Sequence, residues 1–173
     1  MTALDNTPLN KNFLSPLNFS LEIRRAPHLN FFCQSANIPS LSFQYPEQTN
    51  PFTNIPIPGD RLRFEDLNIV FKVDEDLQNY LELNNWMRSL GFPESFTEYA
   101  QIASNSIISG NGTRSDITLM VLNGIKVPNF EITFREAFPI SLGSLQFSTI
   151  DESINYITCS VSFKYIFFDI LKI

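Results

Sequence analysis

The chain has 173 residues, of which 43% are hydrophobic and 17% charged, and its formal net charge is −6. This length is typical of one domain that buries a core without disulfides or metals. The acidic balance argues against a general nucleic-acid binder. Two cysteines and one histidine exclude a disulfide-dense scaffold and a zinc site built from Cys and His alone. Seventeen phenylalanines must be buried in the core or against neighbouring molecules.

The first residues differ in character from the rest of the chain. Residues 1–15 are polar and without periodicity, and we interpret them as an N-terminal arm before a single domain over residues 16–173. We expect no secretory signal, because no basic segment precedes an apolar run, and no stretch approaches the roughly 18–20 apolar residues of a membrane span. Cys33 and Cys159 are expected to be reduced and buried, in a protein made in cytoplasm.

The domain opens with a period-two pattern. Phe19, Leu21 and Ile23 alternate with polar residues, which indicates a half-buried strand. Residues 26–28 interrupt it and residues 29–34 restart as a second strand, so the pattern predicts a hairpin with His28 in its turn.

A proline-rich segment follows. Five prolines between residues 38 and 58 exclude a continuous central strand, yet the segment is too apolar for disorder. We interpret residues 40–63 as an extended arm that docks on another subunit, and the alternative is a loop packed on its own domain. The expected inter-subunit contacts are Phe43, Tyr45, Phe52, Ile55, Ile57, Asp60, Arg61 and Arg63.

Alternation over residues 67–73 predicts a further strand. The acidic residues 74–76 then supply N-capping and first-turn carboxylates for a helix at about 76–90. A weaker helical pattern covers about 94–103, and residues 104–115 have the composition of a loop.

The last third of the chain returns to the strand pattern. Alternation around residues 117–121 and 130–134 flanks Asn123-Gly124, a strong hairpin signal. Pro139 and Gly143 are expected to break the chain before residues 145–149, and residues 157–165 form a long closing strand. The order of elements predicts an α+β, mainly β fold: an antiparallel β-sandwich or barrel with one flanking helix.

The sequence carries no motif typical of an active site. The chain has no Gly-rich phosphate loop, nucleophile elbow or HExxH motif. We interpret His28 as a solvated turn residue rather than a catalytic base, and residues 74–76 as capping residues rather than a metal site. We therefore predict no catalytic, cofactor-binding or metal-binding residue, and a protein that is not an enzyme.

The order of these segments resembles the tail tube proteins of contractile-tailed (myovirus-type) bacteriophages. The resemblance begins at NFSLEIRR and FFCQSANIPS, continues through IPIPGDRLRFEDLNIVFKVDED and a helix carrying Asn85-Trp86, and ends at FEITFREAFPISLGSLQF. It covers roughly residues 17–168; the N-terminal arm and the hairpin at residues 123–124 lie outside it.

The resemblance implies a structural subunit of the virion tail tube that is assembled in the host cytoplasm. Such subunits form stacked hexameric rings that conduct DNA during ejection without binding it specifically, with sheath, baseplate initiator and terminator proteins as partners and no membrane. The arm, at Gln44 to Asp60, would reach adjacent subunits or rings, and the channel wall would be acidic or neutral. Two alternatives remain open: a tube-initiator ring of the baseplate with the same fold, and a non-viral β-type binding module.

Overall fold

In the computed structural model of the chain, residues 12–91, 112–149 and 156–173 are described. Within these ranges the structure is mainly β, with two helices, as the patterning predicts. The elements in chain order are β1 (Phe19–Ile23), α1 (Pro27–Phe32), β2 (Cys33–Ala36), β3 (Leu41–Phe43), β4 (Glu47–Thr49), β5 (Asn54–Pro56), β6 (Leu62–Phe64), β7 (Leu67–Lys72), α2 (Gln78–Gly91), β8 (Ser115–Leu122), β9 (Pro128–Leu142), β10 (Thr158–Lys164) and β11 (Phe168–Lys172).

The long strand β9 links two antiparallel sheets. Its first half lies between β8 and β11, and β8 in turn pairs with β1. Its second half pairs with β10, followed by β7 and β2. We call the first group (β1, β8, the first half of β9 and β11) sheet 1 and the second group sheet 2. Both belong to one seven-stranded hydrogen-bonded network.

A bulge in β9 lets one strand serve both sheets. Ile117 of β8 lies opposite Phe134, but Ser115 lies opposite Ala137, so β9 carries one extra residue at this point. Glu136 has a positive φ of 52°, in the left-handed region that β-strands avoid. Such an insertion bends a strand and increases its twist, and here it directs the second half of β9 into sheet 2.

The inward faces of the strands form the core. Buried residues alternate along β1, β7, β8 and β10, which confirms the period-two pattern read from the sequence. Helix α2 closes this core with Trp86, whose indole lies 6.0 Å from the Phe163 ring and donates a hydrogen bond to the Thr113 carbonyl at 3.1 Å. The flanking helix predicted at 76–90 is therefore confirmed, at Gln78–Gly91.

The predicted hairpin at residues 19–34 is wrong, and so is its second strand at 29–34, because residues 27–32 form a helix and only residues 33–36 are a strand. Strand β1 pairs with β8 and strand β2 pairs with β7, and between them lies α1, with Pro27 in its first turn. Proline is favoured there because its missing N–H is not needed. The Asn30 side chain then accepts a hydrogen bond from the Ile23 N–H at 2.8 Å and donates one to the Ile23 carbonyl at 3.3 Å. His28 consequently belongs to a helix and not to a hairpin turn.

The predicted acidic cap of α2 is also wrong. The first turn of this helix contains no acidic residue, and residues 74–76 belong to the turn that precedes it. The turn is held by Asn79, a buried residue whose side chain accepts from the Asp74 N–H and donates to the Lys72 carbonyl at 2.8 Å. An amide satisfies both a donor and an acceptor here, which a carboxylate cannot do.

The chain break predicted at Pro139 does not lie where the sequence pattern put it. Strand β9 continues through Pro139 to Leu142, since Pro139 lies where the pairing with β10 shifts register and a ladder donor is not required. Residues 145–149 form no strand. The closing strand predicted at 157–165 is confirmed as β10, and β11 is an additional strand that the sequence pattern did not predict. The hairpin at Asn123-Gly124 is confirmed, with Lys126 at a positive φ of 61°. The weaker helix predicted at 94–103 lies outside the described residues.

Both cysteines are free thiols, as expected, but only one of the two is buried as expected. Cys159 is buried and Cys33 half-buried, and burial raises the pKa of Cys33 to about 11. The thiol of Cys33 is therefore protonated and unreactive near neutral pH.

Candidate functional site

The proline-rich segment forms a projecting arm, residues 40–63, made of two successive strand pairs. Nearest the body, Leu41 lies opposite Phe64 and Phe43 opposite Leu62. Farther out, Glu47 lies opposite Pro56 and the remaining two positions of β4 pair with β5. The described part of the chain provides no further strand beside either pair. The extended arm predicted from the sequence is therefore a long hairpin made of two stages.

The tip of the arm is a closed turn. The Asn50 side-chain oxygen accepts hydrogen bonds from the Phe52 and Thr53 N–H groups at 2.8 and 2.9 Å, and the Asn50 N–H donates to the Thr53 carbonyl at 3.1 Å. Asparagine commonly organises turns in this way. The turn holds Phe52 in solvent, with 96% of its surface exposed.

The two stages of the arm meet at Gly59. A side chain at this position would place its Cβ 1.9 Å from the Gln44 carbonyl oxygen, a distance that only glycine avoids. Next to this crossing, the Ile57 N–H donates to the Pro46 carbonyl at 2.9 Å. A concavity of about 770 Å³ lies at the joint between the stages and is lined by Phe43, Gln44, Tyr45, Pro46, Gly59, Asp60 and Arg61.

The base of the arm is anchored by aromatic residues of the body. The Phe64 ring makes edge contacts with Tyr165 and Phe168, at 6.1 and 5.7 Å between ring centres. The Tyr165 hydroxyl donates to the Glu65 carbonyl at 2.8 Å, and burial next to Asp66 and Glu65 raises the pKa of Tyr165 to about 12. The base of the arm is therefore held in place next to the start of β11.

All eight residues predicted as inter-subunit contacts lie on this arm, and all are exposed. The aromatic and aliphatic members present between 41% and 96% of their surface to solvent, although such residues are usually buried. Arg63 makes a surface ion pair with Glu65 at 3.8 Å. The structure brings together Phe43, Tyr45, Asp60 and Arg61 around the joint, while Phe52 stands apart at the tip. Their contact with another subunit stays a prediction.

Sequence reasoning missed a second feature, the open edges of sheet 1. Among the described residues, β1 pairs only with β8, and β11 pairs only with β9. Each therefore presents an edge without a neighbouring strand, although the Asn30 side chain hydrogen-bonds the backbone of Ile23 at one end of β1. Ile170 and Leu171 of β11 are more than half exposed. A groove of about 360 Å³ runs beside β1, and its lining includes Leu17, Phe19 and Phe31.

The outward face of sheet 1 is polar. It carries Glu22, Thr118, Thr133 and Asp169 across its four strands, with further charged residues toward one end. Arg135 donates to Asp116 at 3.1 Å and lies 3.9 Å from Asp169. The face bears four carboxylates and two guanidinium groups, a formal charge of −2: Glu22, Asp116, Glu131 and Asp169 against Arg24 and Arg135.

The described residues offer no arrangement typical of a reaction centre. No cluster of three or more His, Cys, Asp or Glu in the ranges 12–91, 112–149 and 156–173 is placed to hold a metal ion. His28 pairs with Glu82 of α2, with 2.5 Å between Nδ1 and Oε1. Among the described helices, none is long and apolar enough to cross a membrane.

Comparison with known proteins agrees with this architecture. The family model of the phage tail tube proteins matches residues 8–170, nearly the whole chain. The chain therefore belongs to the phage tail tube protein family, and its role is that of a tube-type structural protein. No curated protein sequence matches it significantly.

Solved structures with the same fold belong to the anti-feeding prophage and to an extracellular contractile injection system. The chain is similar to the tube-terminating cap of the anti-feeding prophage, with 14% identity, full coverage of both chains and a TM-score of 0.59. It resembles a chain of the six-fold symmetrised baseplate of that particle, with 13% identity over 88% and 90% of the two chains and a TM-score of 0.60. It also resembles a chain of the PVC sheath–tube complex, an extracellular contractile injection system, with 16% identity over 94% of both chains and a TM-score of 0.56. At these identities the likeness is one of fold.

Proposed function

We propose that the chain is the repeating subunit of a contractile tail tube, in which six copies close into a ring and the rings stack around a channel that conducts DNA. The observation that carries the proposal is the geometry of sheet 1. Among the described residues it has no neighbouring strand at either edge, and it has a polar outward face and strand directions that suit continuation into a second copy.

Strand direction allows the sheet to repeat. Each pairing of β1 with β8, β8 with β9, and β9 with β11 is antiparallel. The two edge strands, β1 and β11, consequently run in opposite directions. If β11 of one copy lies beside β1 of the next, that contact is again antiparallel, and copies repeated in this way form a closed barrel without exposed edges. Such a head-to-tail contact generates a ring when the rotation closes.

The side chains at the two edges suit this contact. Ile170 lies opposite Ile132, so it projects to the core-facing side of sheet 1. The groove beside β1 carries Leu17, Phe19 and Phe31. An isoleucine from the β11 strand of the neighbouring copy would remove apolar surface from water at this groove.

The outward face of sheet 1 then lines the channel, because the opposite face is covered by the core. Its formal charge of −2 per copy repels phosphate, so DNA passes without being held. This assignment agrees with the expectation of an acidic or neutral channel wall.

The number of copies and the partners come from the family and its structural relatives. One chain with the same fold comes from a baseplate structure that is six-fold symmetrised. Another comes from a sheath–tube complex. By the same likeness we propose tail sheath, baseplate initiator and tail terminator proteins as partners. The proposed location is the tail tube of a virion or phage-like particle, assembled in the host cytoplasm.

A tube-initiator ring of the baseplate is the second candidate. The likeness to a baseplate chain favours it, whereas the likeness to a chain of a sheath–tube complex favours the repeating tube. The number of copies in purified particles separates the two, because an initiator is present in one or two rings and a tube subunit in many.

Electron microscopy of the concentrated full-length protein tests the proposal. The unchanged chain is expected to form rings and tubes, and Ile170→Asp should leave it monomeric, because a carboxylate would be buried in the groove beside β1. Leu81→Asp, on the exposed side of α2, is the matched control and should assemble normally. A wild-type chain that stays monomeric at high concentration, or an Ile170→Asp variant that still forms rings, contradicts the proposal.

A further inference from the structure

Asn30 occupies the backbone of β1 at one end of its open edge. Its side-chain oxygen accepts a hydrogen bond from the Ile23 N–H at 2.8 Å, and its side-chain nitrogen donates one to the Ile23 carbonyl at 3.3 Å. These are the two bonds that a residue exchanges with a neighbouring strand in an antiparallel pair. Asn30 itself lies in the lining of the groove beside β1. The amide therefore takes the place of a strand at this position.

The bonds between β1 and β8 show which backbone groups of β1 remain open. The Leu122 N–H donates to the Asn18 carbonyl at 2.9 Å, and bonded residues alternate along an antiparallel ladder. Even-numbered residues of β1 therefore bond β8, and odd-numbered residues direct their N–H and carbonyl groups to the edge. Because Asn30 bonds the last residue of the strand, Phe19 and Leu21 are left without a bonding partner at this edge among the described residues.

The open edge of β11 follows from the same reasoning. The Ile173 N–H donates to the Asn129 carbonyl at 3.1 Å, and the Arg135 N–H donates to the Phe167 carbonyl at 3.0 Å. Odd-numbered residues thus bond β9, and even-numbered residues direct their backbone groups to the edge. The edge-facing residues of β11 are Phe168, Ile170 and Lys172.

We infer that Asn30 sets the register in which β11 of one copy pairs with β1 of the next copy, by acting as a stop at the end of the open edge. The inference rests on the proposed ring and adds the alignment of its subunits. Edge-facing residues bond in pairs across an antiparallel contact. In the inferred register the bonded pairs are Phe19 with Ile170 and Leu21 with Phe168. Both pairs are apolar, which suits the groove on the core-facing side of sheet 1.

The neighbouring registers are less favourable. If β11 moves by two residues toward the end of β1, Phe168 lies opposite Ile23, whose backbone groups Asn30 already bonds. The same move places Asp169 directly opposite Glu22 on the outward face, where like charges are destabilising. A move by two residues in the other direction leaves one bonded pair within β1 in place of two. The amide stop and the charges therefore select one register.

Disulfide crosslinking of assembled rings measures the register. Ser20→Cys with Asp169→Cys places two thiols directly opposite each other in the inferred register, at a Cα separation of about 4.5 Å that a disulfide can span. Ser20→Cys with Leu171→Cys does the same in the register shifted by two residues. Within one chain these positions lie at opposite edges of sheet 1, about 14 Å apart across three strand spacings, so each disulfide joins two copies. We expect the first variant, and not the second, to give covalent oligomers up to the size of the ring on a non-reducing gel. Each single-cysteine variant controls for disulfides to Cys33.

Asn30→Ala removes the stop and is the decisive variant. It leaves the Ile23 groups open for a third bonded pair in the shifted register. The yield of the 20–171 crosslink relative to the 20–169 crosslink should therefore rise about tenfold, as expected for one additional bonded pair. Asn30→Ser takes its place if the alanine variant loses its circular dichroism spectrum. His28→Ala breaks a different contact of α1, with Glu82, and is the control that should keep the wild-type crosslinks.

Ring formation and crosslink position report on different claims. Folded Asn30→Ala rings with an unchanged crosslink ratio overturn the inference, because a residue that only holds α1 against β1 would lower stability without moving the register. Wild-type rings joined through positions 20 and 171, or through neither pair, also overturn it. A wild-type chain that forms no rings contradicts the proposed function, and this inference with it.

Discussion

At the scale of single residues, Gly59 decides whether the arm can form. The two stages of the arm cross at this position, and the Gln44 carbonyl occupies the space where a side chain would begin. The constraint is local, because the arm is anchored to the body only at its base, through residues such as Phe64.

Gly59→Ala should therefore disorder the arm and leave the core intact. Moving the backbone away from a Cβ at 1.9 Å separates the two stages, while the free energy of unfolding of the body changes by less than about 0.5 kcal/mol. Limited proteolysis should show cleavage within residues 44–60. Gly124→Ala, where no atom lies within 4 Å of the added Cβ, is the control. If the arm of Gly59→Ala resists proteolysis as well as the wild-type arm does, Gly59 is not required for the arm to form.

His28 links the two helices through a contact that depends on pH. The hydrogen bond to Glu82 and the negative charge of Glu82 raise the pKa of His28 above its usual 6.5. The backbone N–H of His28 also donates a hydrogen bond to the Glu82 carboxylate. A group whose pKa is raised on folding stabilises the native state below its unfolded pKa, and this contribution is lost as the pH rises through the folded pKa.

The His28–Glu82 pair should consequently contribute most to the stability of the α1–α2 contact below about pH 6.5. This contribution should be lost as the pH rises through the folded pKa of His28. Titration of the single histidine by NMR should give a pKa above 6.5, and Glu82→Gln should lower it. Glu75→Gln, in the turn before α2, is the control and should leave the pKa of His28 in place. An unshifted histidine in the wild-type chain would rule out the pair in solution.

At the scale of elements, the bulge of β9 is held by one carboxylate. Asp116 accepts from the Glu136 N–H at 2.9 Å and from the Arg135 side chain at 3.1 Å. The first bond fixes a residue with a positive φ, and the second holds the arginine that also faces Asp169 of β11. Asp116 thereby supports the bend of β9 and the attachment of the last strand.

Asp116→Ala should lower the free energy of unfolding by about 1–2 kcal/mol, the usual range for charged hydrogen bonds that are partly exposed. Urea denaturation followed by the fluorescence of Trp86, the single tryptophan, measures the change. Glu22→Ala, on the same face of sheet 1, is the control and should change stability by less than about 0.5 kcal/mol. Equal losses for the two variants would show that Asp116 has no special role in the bulge.

At the scale of the whole molecule, charge is distributed so that the proposed channel wall is acidic. Its formal −2 per copy includes two arginines, one of which is held between Asp116 and Asp169. A polyanion moving along such a wall meets few cations to bind, and weak binding suits conduction.

Glu22→Lys combined with Glu131→Lys should make the assembled tube retain DNA. The two changes convert the face from −2 to +2 per copy, so DNA protected from nuclease should appear at low salt and be released at high salt. Glu75→Lys with Asp76→Lys changes the net charge equally outside the channel and should retain none. Equal retention by both variants would mean that sheet 1 does not line the channel.

Much of the fold follows from local patterns. Alternating residues in β7, β8 and β10 and the helical spacing around Trp86 identify these elements because one face of each must be buried. The same reasoning fails at residues 26–34, where one Asn30 side chain and Pro27 convert an expected turn into a helix. The candidate site divides in the same way. The arm is visible as an apolar, proline-rich segment, whereas the open edges of sheet 1 depend on the pairing of β1 with β8 and of β11 with β9, which no local pattern indicates.

The sequence by itself determined that the alternating segments of β1, β7, β8 and β10 are strands, that residues 40–63 are extended, and that the chain resembles a tail tube protein. Periodicity, proline content and charge are properties of each segment, so they can be read without knowing its neighbours. Only the tertiary structure decided that β1 pairs with β8 and β11 with β9, and hence which edges stay open and which face is outward. Strand partners far apart in the chain are selected by the packing of a shared core, and no single segment carries that information.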